Sequence, residues 1–161
     1  MEQFKISSNQ KTALVILRLL IGWHFLYEGV IKLYNPSWTA KGYLLSAEFL
    51  KPVFAFMATE GTIGIIDTLN ISLLILVGLF LIAGFKTSWA CIGGMLLLAM
   101  YYLAHPPFTG ITQGPAEGSY WIVNKNLIEL VALYVLYLFP TTSVFGIESL
   151  FKKEKLDPAH Q

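Results

Sequence analysis

Residues 13–33 read ALVILRLLIGWHFLYEGVIKL, an apolar segment that nevertheless carries four ionisable side chains. A helix needs about 20 mostly apolar residues to cross a bilayer, so this segment predicts a membrane span. Each ionisable group inside such a helix costs on the order of 2.5–3.5 kcal/mol on insertion scales, which favours a functional reason for its presence. The four groups are Arg18, His24, Glu28 and Lys32.

The composition of the whole chain also indicates a membrane protein. Of its 161 residues, 55% are hydrophobic and 13% are charged, and the mean hydropathy is +0.61. Soluble domains carry charge at about a quarter of their positions, so we predict an integral membrane protein in contact with the lipid bilayer. The formal net charge of +1 offers no strong attraction to nucleic acid. The single cysteine, Cys91, excludes an intrachain disulfide.

The order of apolar runs predicts the fold class. We expect one all-α membrane domain over residues 1–161, built as a bundle of four transmembrane helices. Between the first two spans, apolar residues recur at helical spacing while Pro52 interrupts the run, which predicts an amphipathic interfacial helix at about 43–58. The four predicted spans are about 13–33, 68–85, 87–104 and 122–139.

The distribution of lysines predicts the orientation in the membrane. Positively charged residues are enriched in cytoplasmic segments, and lysines are more numerous on the side that holds both chain ends. We therefore predict that both termini are cytoplasmic. The lysines on that side are Lys5, Lys11, Lys86, Lys152, Lys153 and Lys155. Those on the opposite side are Lys32, Lys41, Lys51 and Lys125.

A polar stripe on the first span is the strongest candidate for chemistry. His24, Glu28 and Lys32 are four residues apart in succession, which places them on one face of a helix, directed at protein and not at lipid. In the last span, Glu129 is expected at the depth of Glu28, some 7 Å below the surface at about 1.5 Å of rise per residue. We expect one buried network, in which Glu28, Glu129, His24 and His105 are the candidate proton-transfer residues.

Two interpretations of these groups remain open at this stage. Ionisable groups inside membranes mark proton, ion or redox pathways, but paired charges also tie helices together without further function. Arg18 has the alternative of extending to the headgroups, and His105 that of a capping residue. Because His24 and His105 are expected at different depths, a haem is not predicted, and no flavin or metal motif is present.

Residues 18–44, RLLIGWHFLYEGVIKLYNPSWTAKGYL, resemble the DoxX-like membrane proteins. An arginine opening the first span, an aromatic residue and a glycine before a lysine, and then NPxW and GYL carry the resemblance. Chain length and the four-span pattern extend it over most of residues 12–140. The similarity is greatest to the DoxD-type small subunit of thiosulfate:quinone oxidoreductase. The motif positions carried over are Arg18, Glu28, Lys32, Asn35, Trp38 and Gly42.

This resemblance implies a membrane subunit in an enzyme that passes electrons from a reduced sulfur compound to quinone. It implies quinone as the acceptor, a second oxidoreductase subunit as the partner, and the bacterial inner membrane as the location. The chain has no cofactor motif with which to carry electrons alone. Two other functions stay open: a non-catalytic scaffold that anchors a partner protein, and transport of a small solute or a proton.

Quinone reduction requires protons as well as electrons, and a carboxylate beside a histidine or a lysine is suited to deliver them. We expect Glu28 and Glu129 to act as proton donors, with Lys32 keeping one of them ionised and with His24 or His105 as the link to the outside. The residues expected to bind quinone are Arg18, Lys32, Trp38, Tyr101 and Trp121. The aromatic side chains expected to enclose its ring, or else simply to pack in the core, are Trp23, Phe25, Tyr27, Tyr101, Tyr102 and Trp121.

Overall fold

The structure is a computed structural model that describes residues 6–47, 49–107, 121–142 and 144–149. Within these ranges the regular elements are six α-helices, in agreement with the predicted all-α class. The helices are α1 (Ser8–Leu33), α2 (Lys41–Leu45), α3 (Lys51–Met57), α4 (Ile63–Ala83), α5 (Thr87–Ala104) and α6 (Lys125–Leu138).

Among the described helices, three are long and apolar enough to cross a membrane, namely α1, α4 and α5. This fits an integral membrane protein. The predicted fourth run at 122–139 forms α6, which has 14 residues and is therefore about 21 Å long. A helix of that length falls short of a full bilayer core of about 30 Å.

The segment predicted as one interfacial helix at 43–58 instead forms two short helices, α2 and α3. The chain between them bends, and Leu50 adopts a left-handed backbone conformation with φ of 52°. Pro52 lies in the first turn of α3, a position that tolerates a missing N–H, whereas the interior of a continuous helix does not. The proline therefore starts a new helix.

The spanning helices also extend beyond the apolar runs in the sequence. The first helix begins before residue 13, because Ser7 accepts a hydrogen bond from the backbone N–H of Gln10 while the Gln10 side chain accepts one from the backbone of Ser7. The second span begins at Ile63, five residues before the predicted start, and ends where Gly84 takes φ of 63°. Glycine populates that conformation without a steric cost.

The four longest helices form a closed ring in which α1 packs on α4, α4 on α5, α5 on α6, and α6 on α1. We call the end that holds the C-terminus of α1 and the N-terminus of α6 the loop end. The opposite end, with the start of α1, the α4–α5 turn and residues 141–142 and 144–149, is the turn end. The core between them is apolar; its most buried members are Phe25, Leu74, Val77, Leu81, Cys91, Leu98, Leu133 and Leu136.

Candidate functional site

Ionisable side chains of α1 and α6 meet near the loop end. His24 Nδ1 lies 2.7 Å from Glu129 Oε1, and this contact joins the two helices. One turn further along α1, Lys32 Nζ donates to Glu28 Oε2 at 2.5 Å. The predicted stripe on α1 is therefore present, and the structure brings Glu129 to it from a position 105 residues away.

A fifth charged residue belongs to this group. Lys125, the first residue of α6, is close enough for its charge to act on both His24 and Glu28. Lys125 was used above only to predict the orientation in the membrane, although its four-residue separation from Glu129 places both on one face of a helix. We refer to His24, Glu28, Lys32, Lys125 and Glu129 as the ionisable cluster.

The partner of Glu129 is not the residue that the predicted depths indicated. Counting residues from the helix ends put Glu129 level with Glu28, but its partner is His24, one turn deeper in α1. His24 is nine residues, or about 13 Å, from the end of α1, whereas Glu129 is only about 6 Å from the start of α6. The shorter α6 therefore begins more than one turn deeper than the point at which α1 ends.

The cluster is buried on one side only. The side chains of Glu129 and Lys32 are 13% and 17% exposed, whereas those of His24 and Glu28 are 46% and 44% exposed. Within this chain His24 and Glu28 are thus only partly covered, because α6 covers one edge of the stripe. Among the residues that the structure describes, His24 Nε2 has no hydrogen-bond partner.

Tyr101 approaches the cluster from α5. Its hydroxyl accepts a hydrogen bond from Asn70 Nδ2 of α4 at 2.6 Å, and the charge of Glu28 acts on it. Since the hydroxyl already accepts from Asn70, its own hydrogen is directed elsewhere. Asn70 Oδ1 is buried without a hydrogen-bond partner. All four helices of the ring therefore contribute polar groups near the loop end.

His105 lies apart from the ionisable cluster. It follows the last residue of α5, and its Nε2 is 3.1 Å from the carbonyl oxygen of Tyr43 and 3.4 Å from Ser46 Oγ. Its ring contacts the Tyr43 ring at 4.4 Å. Burial raises the pKa of the Tyr43 hydroxyl, which stays protonated and donates to the Tyr101 carbonyl oxygen at 3.1 Å. His105 therefore joins α2 to α5, and neither ion pair of the cluster includes it.

The predicted aromatic lining is not one surface. Phe25 is buried in the core, whereas Trp23 and Tyr27 stack at 6.4 Å on the outer face of α1, beside His24. Tyr102 donates to the backbone of Ile122. Two candidates lie outside the helices. Lys32 Nζ is 5.6 Å from the centroid of the Trp38 ring, a cation–π contact, whereas Trp121 is 68% exposed.

Arg18 lies at the turn end and not with the cluster. Only 1% of it is exposed, so it does not extend to the headgroups. Its guanidinium donates to Thr141 Oγ1 at 2.9 Å and to the Phe145 carbonyl oxygen at 2.7 Å. The arginine thus fastens the segment that follows α6 to the first helix, and the structure separates it from the other proposed quinone-binding residues.

We expect Arg18→Ala to lower the unfolding free energy in detergent by about 3 kcal/mol, because hydrogen bonds from a charged donor contribute about 1.5–3 kcal/mol each and the Thr141 acceptor remains buried. Thermal unfolding compared with that of Lys11→Ala, an exposed residue of the same helix, provides the control. Equal, small effects of the two substitutions would contradict the fastening role of Arg18.

Comparison of the chain with protein-family models, with curated proteins and with solved structures gave no match. In the described part of the chain, no three His, Cys, Asp or Glu side chains are grouped in a way that would hold a metal ion.

Proposed function

We propose that this chain is the membrane subunit of a quinone-linked oxidoreductase, of the DoxX-like type that its first span resembles, and that the His24–Glu129 pair supplies protons to quinone. In this proposal α6 is a short fourth span, α2 and α3 lie at the interface, and both termini are cytoplasmic in a bacterial inner membrane. A second subunit receives electrons from a reduced sulfur compound.

The observation that carries the proposal is the half-exposed His24 paired with the nearly buried Glu129 at 2.7 Å. A histidine at this depth in a spanning helix faces either lipid or another protein, and quinones dissolve in the lipid phase. The ring nitrogen Nε2 can bind a ligand that arrives from the bilayer, while Nδ1 stays hydrogen-bonded to the Glu129 carboxylate. Such a pair can pass a proton outward from the protein interior.

The proton steps follow from the two nitrogens of the imidazole. A quinone takes up two electrons and two protons to become a quinol. When His24 Nε2–H donates its proton to a quinone oxygen, Nδ1 takes a proton from the carboxylic acid of Glu129, and the ring stays neutral. The resting pair is restored when Nε2 takes up a proton from water and Nδ1 returns its proton to Glu129, so two such cycles supply the two protons. Lys32 neutralises Glu28, and Lys125 adds positive charge where the reduced oxygen develops negative charge.

The exposed aromatic residues beside His24 support a site that opens to lipid. Trp23 is 62% exposed and Tyr27 is 53% exposed, and their stacked rings flank the histidine on the outer face of α1. A quinone ring can lie against such a surface while one of its oxygens reaches His24. On this view Trp38 and Trp121 do not contact the quinone.

Tryptophan fluorescence tests this location. In nanodiscs, a variant that retains only Trp23, with phenylalanine at the other tryptophan positions, should show saturable quenching by a short-chain ubiquinone or menaquinone. The matched variant that retains only Trp89, which is 70% exposed on α5, should show collisional quenching that rises without saturation. Non-saturating quenching in both variants would contradict a quinone site at His24.

The same half-exposed edge favours one second candidate, a scaffold in which a partner protein covers His24 and Glu28. Exposed ionisable groups at membrane depth are costly, and a polar partner helix would satisfy them. A stoichiometric partner that co-purifies from native membranes, masks Trp23 and leaves no saturable quinone quenching would support the scaffold over the oxidoreductase.

A further inference from the structure

The ionisable cluster lies near the loop end, and a layer of apolar core residues separates it from the turn end. We propose that the His24–Glu129 pair exchanges protons with water at the loop end only, so that protons used at this site come from one side of the membrane. The sidedness deepens the proposed function and rests on it for its physiological meaning, but it concerns water access, which is measured without quinone.

Towards the turn end the cluster is closed off by an apolar layer. Arg18 is six residues, or about 9 Å, from His24 along α1. The packed side chains in between are apolar, and Leu81 and Leu133 are fully buried. Among the described residues of this core, the one with a titratable side chain is Cys91. It lies beside Arg18, so the apolar layer separates it from His24.

The helices are also in close contact at two positions in this layer. A Cβ atom added at Gly22 would lie 2.9 Å from Ile82 Cγ1 and 3.1 Å from the carbonyl oxygen of Gly78. A Cβ at Gly94 would lie 2.7 Å from Leu133 Cδ1. A water chain needs polar partners and space of about one probe sphere for each molecule, whereas the described side chains of this layer are apolar and closely packed at these contacts.

Towards the loop end, polar groups continue from the pair. The charged or titratable groups near His24 and Glu129 are Glu28 and Lys32 on α1, Lys125 on α6 and Tyr101 on α5; α4 adds the amide of Asn70. Lys32 lies at the end of α1, where a bilayer meets water, and Lys125 begins α6 more than one turn deeper. The buried, unpartnered Asn70 Oδ1 is an acceptor that water entering from this end would satisfy.

Cysteine labelling in proteoliposomes tests the proposal, with Cys91→Ala as the background and a membrane-impermeant, cationic methanethiosulfonate as the reagent. Glu28→Cys is the reporter, and Ile21→Cys, which lies in the apolar layer, is the matched control. Exposed positions at the two ends, Asn35→Cys and Ser8→Cys, define the side from which the reagent acts. If Glu28→Cys does not fold, Glu129→Cys on α6 takes its place.

We expect the reporter to react only from the side on which Asn35→Cys reacts, and Ile21→Cys to react from neither side. Reaction from the Ser8→Cys side, from both sides or from neither would overturn one-sided access. Saturable quenching of Trp23 together with two-sided labelling would leave the quinone proposal standing and remove the sidedness. One-sided labelling without saturable quenching would leave the sidedness standing and contradict the quinone proposal.

Discussion

Replacing Gly78 with alanine is expected to lower the unfolding free energy of the bundle by about 3 kcal/mol, the upper part of the range for overpacked cores. A Cβ atom at this position would lie 2.5 Å from the backbone nitrogen of Leu26 and 2.7 Å from the carbonyl oxygen of Gly22. Backbone atoms cannot rotate away as a flexible side chain can, so α1 and α4 must separate. Thermal and denaturant unfolding in detergent measure the effect.

Gly64→Ala is the matched control on the same helix. A Cβ at Gly64 would meet nothing within 4 Å, so this substitution is expected to be neutral or slightly stabilising through helix propensity. If Gly78→Ala unfolded at the same temperature as Gly64→Ala, the close α1–α4 contact, and with it the apolar layer below the ionisable cluster, would be wrong.

The sequence was sufficient to predict the three long apolar helices and the α1 stripe, because both depend on local periodicity. Long apolar runs determine where spanning helices form, and a four-residue spacing places Glu28 beside Lys32 in any regular helix. The break at Pro52 was visible as well, although its consequence, two short helices in place of one, depends on the left-handed turn at Leu50.

Contacts between distant segments could not be predicted in the same way. Glu129 pairs with His24, although counting residues from the ends of the apolar runs placed it level with Glu28. The reason is that α6 begins more than one turn deeper in the bundle than the point at which α1 ends. The position of Lys125 in the cluster follows from the same displacement. Arg18 finds its partners at Thr141 and Phe145, after the last helix, where no periodic pattern links the two segments.

The exposure of His24 is also a tertiary property. The stripe was expected to face protein because charged groups avoid lipid. In the structure α6 covers one edge of the stripe, and the other edge stays open beside Trp23 and Tyr27. That opening is the reason to propose a lipid-borne substrate, and the sequence carried no signal for it.

The Glu129→Gln variant is expected to reduce quinone about 100-fold more slowly than the wild type in the complex purified from native membranes, with thiosulfate as the electron donor, because general acid catalysis contributes about 10²–10⁴ in rate. The amide still hydrogen-bonds His24 Nδ1, so unfolding temperature and quinone affinity should remain near the wild-type values. Glu60→Gln, at an exposed carboxylate outside the cluster, should keep full activity.

Infrared difference spectroscopy of the purified protein with bound quinone, reduced at an electrode, tests the proton transfer most directly because it needs no natural electron donor. We predict a change in a carboxylic acid band on reduction that is present in the wild type and in Glu60→Gln and lost in Glu129→Gln, accompanied by a change in imidazole bands that is lost in His24→Gln. The same carboxyl band in Glu129→Gln as in the wild type would contradict the assignment of the His24–Glu129 pair as the proton donor.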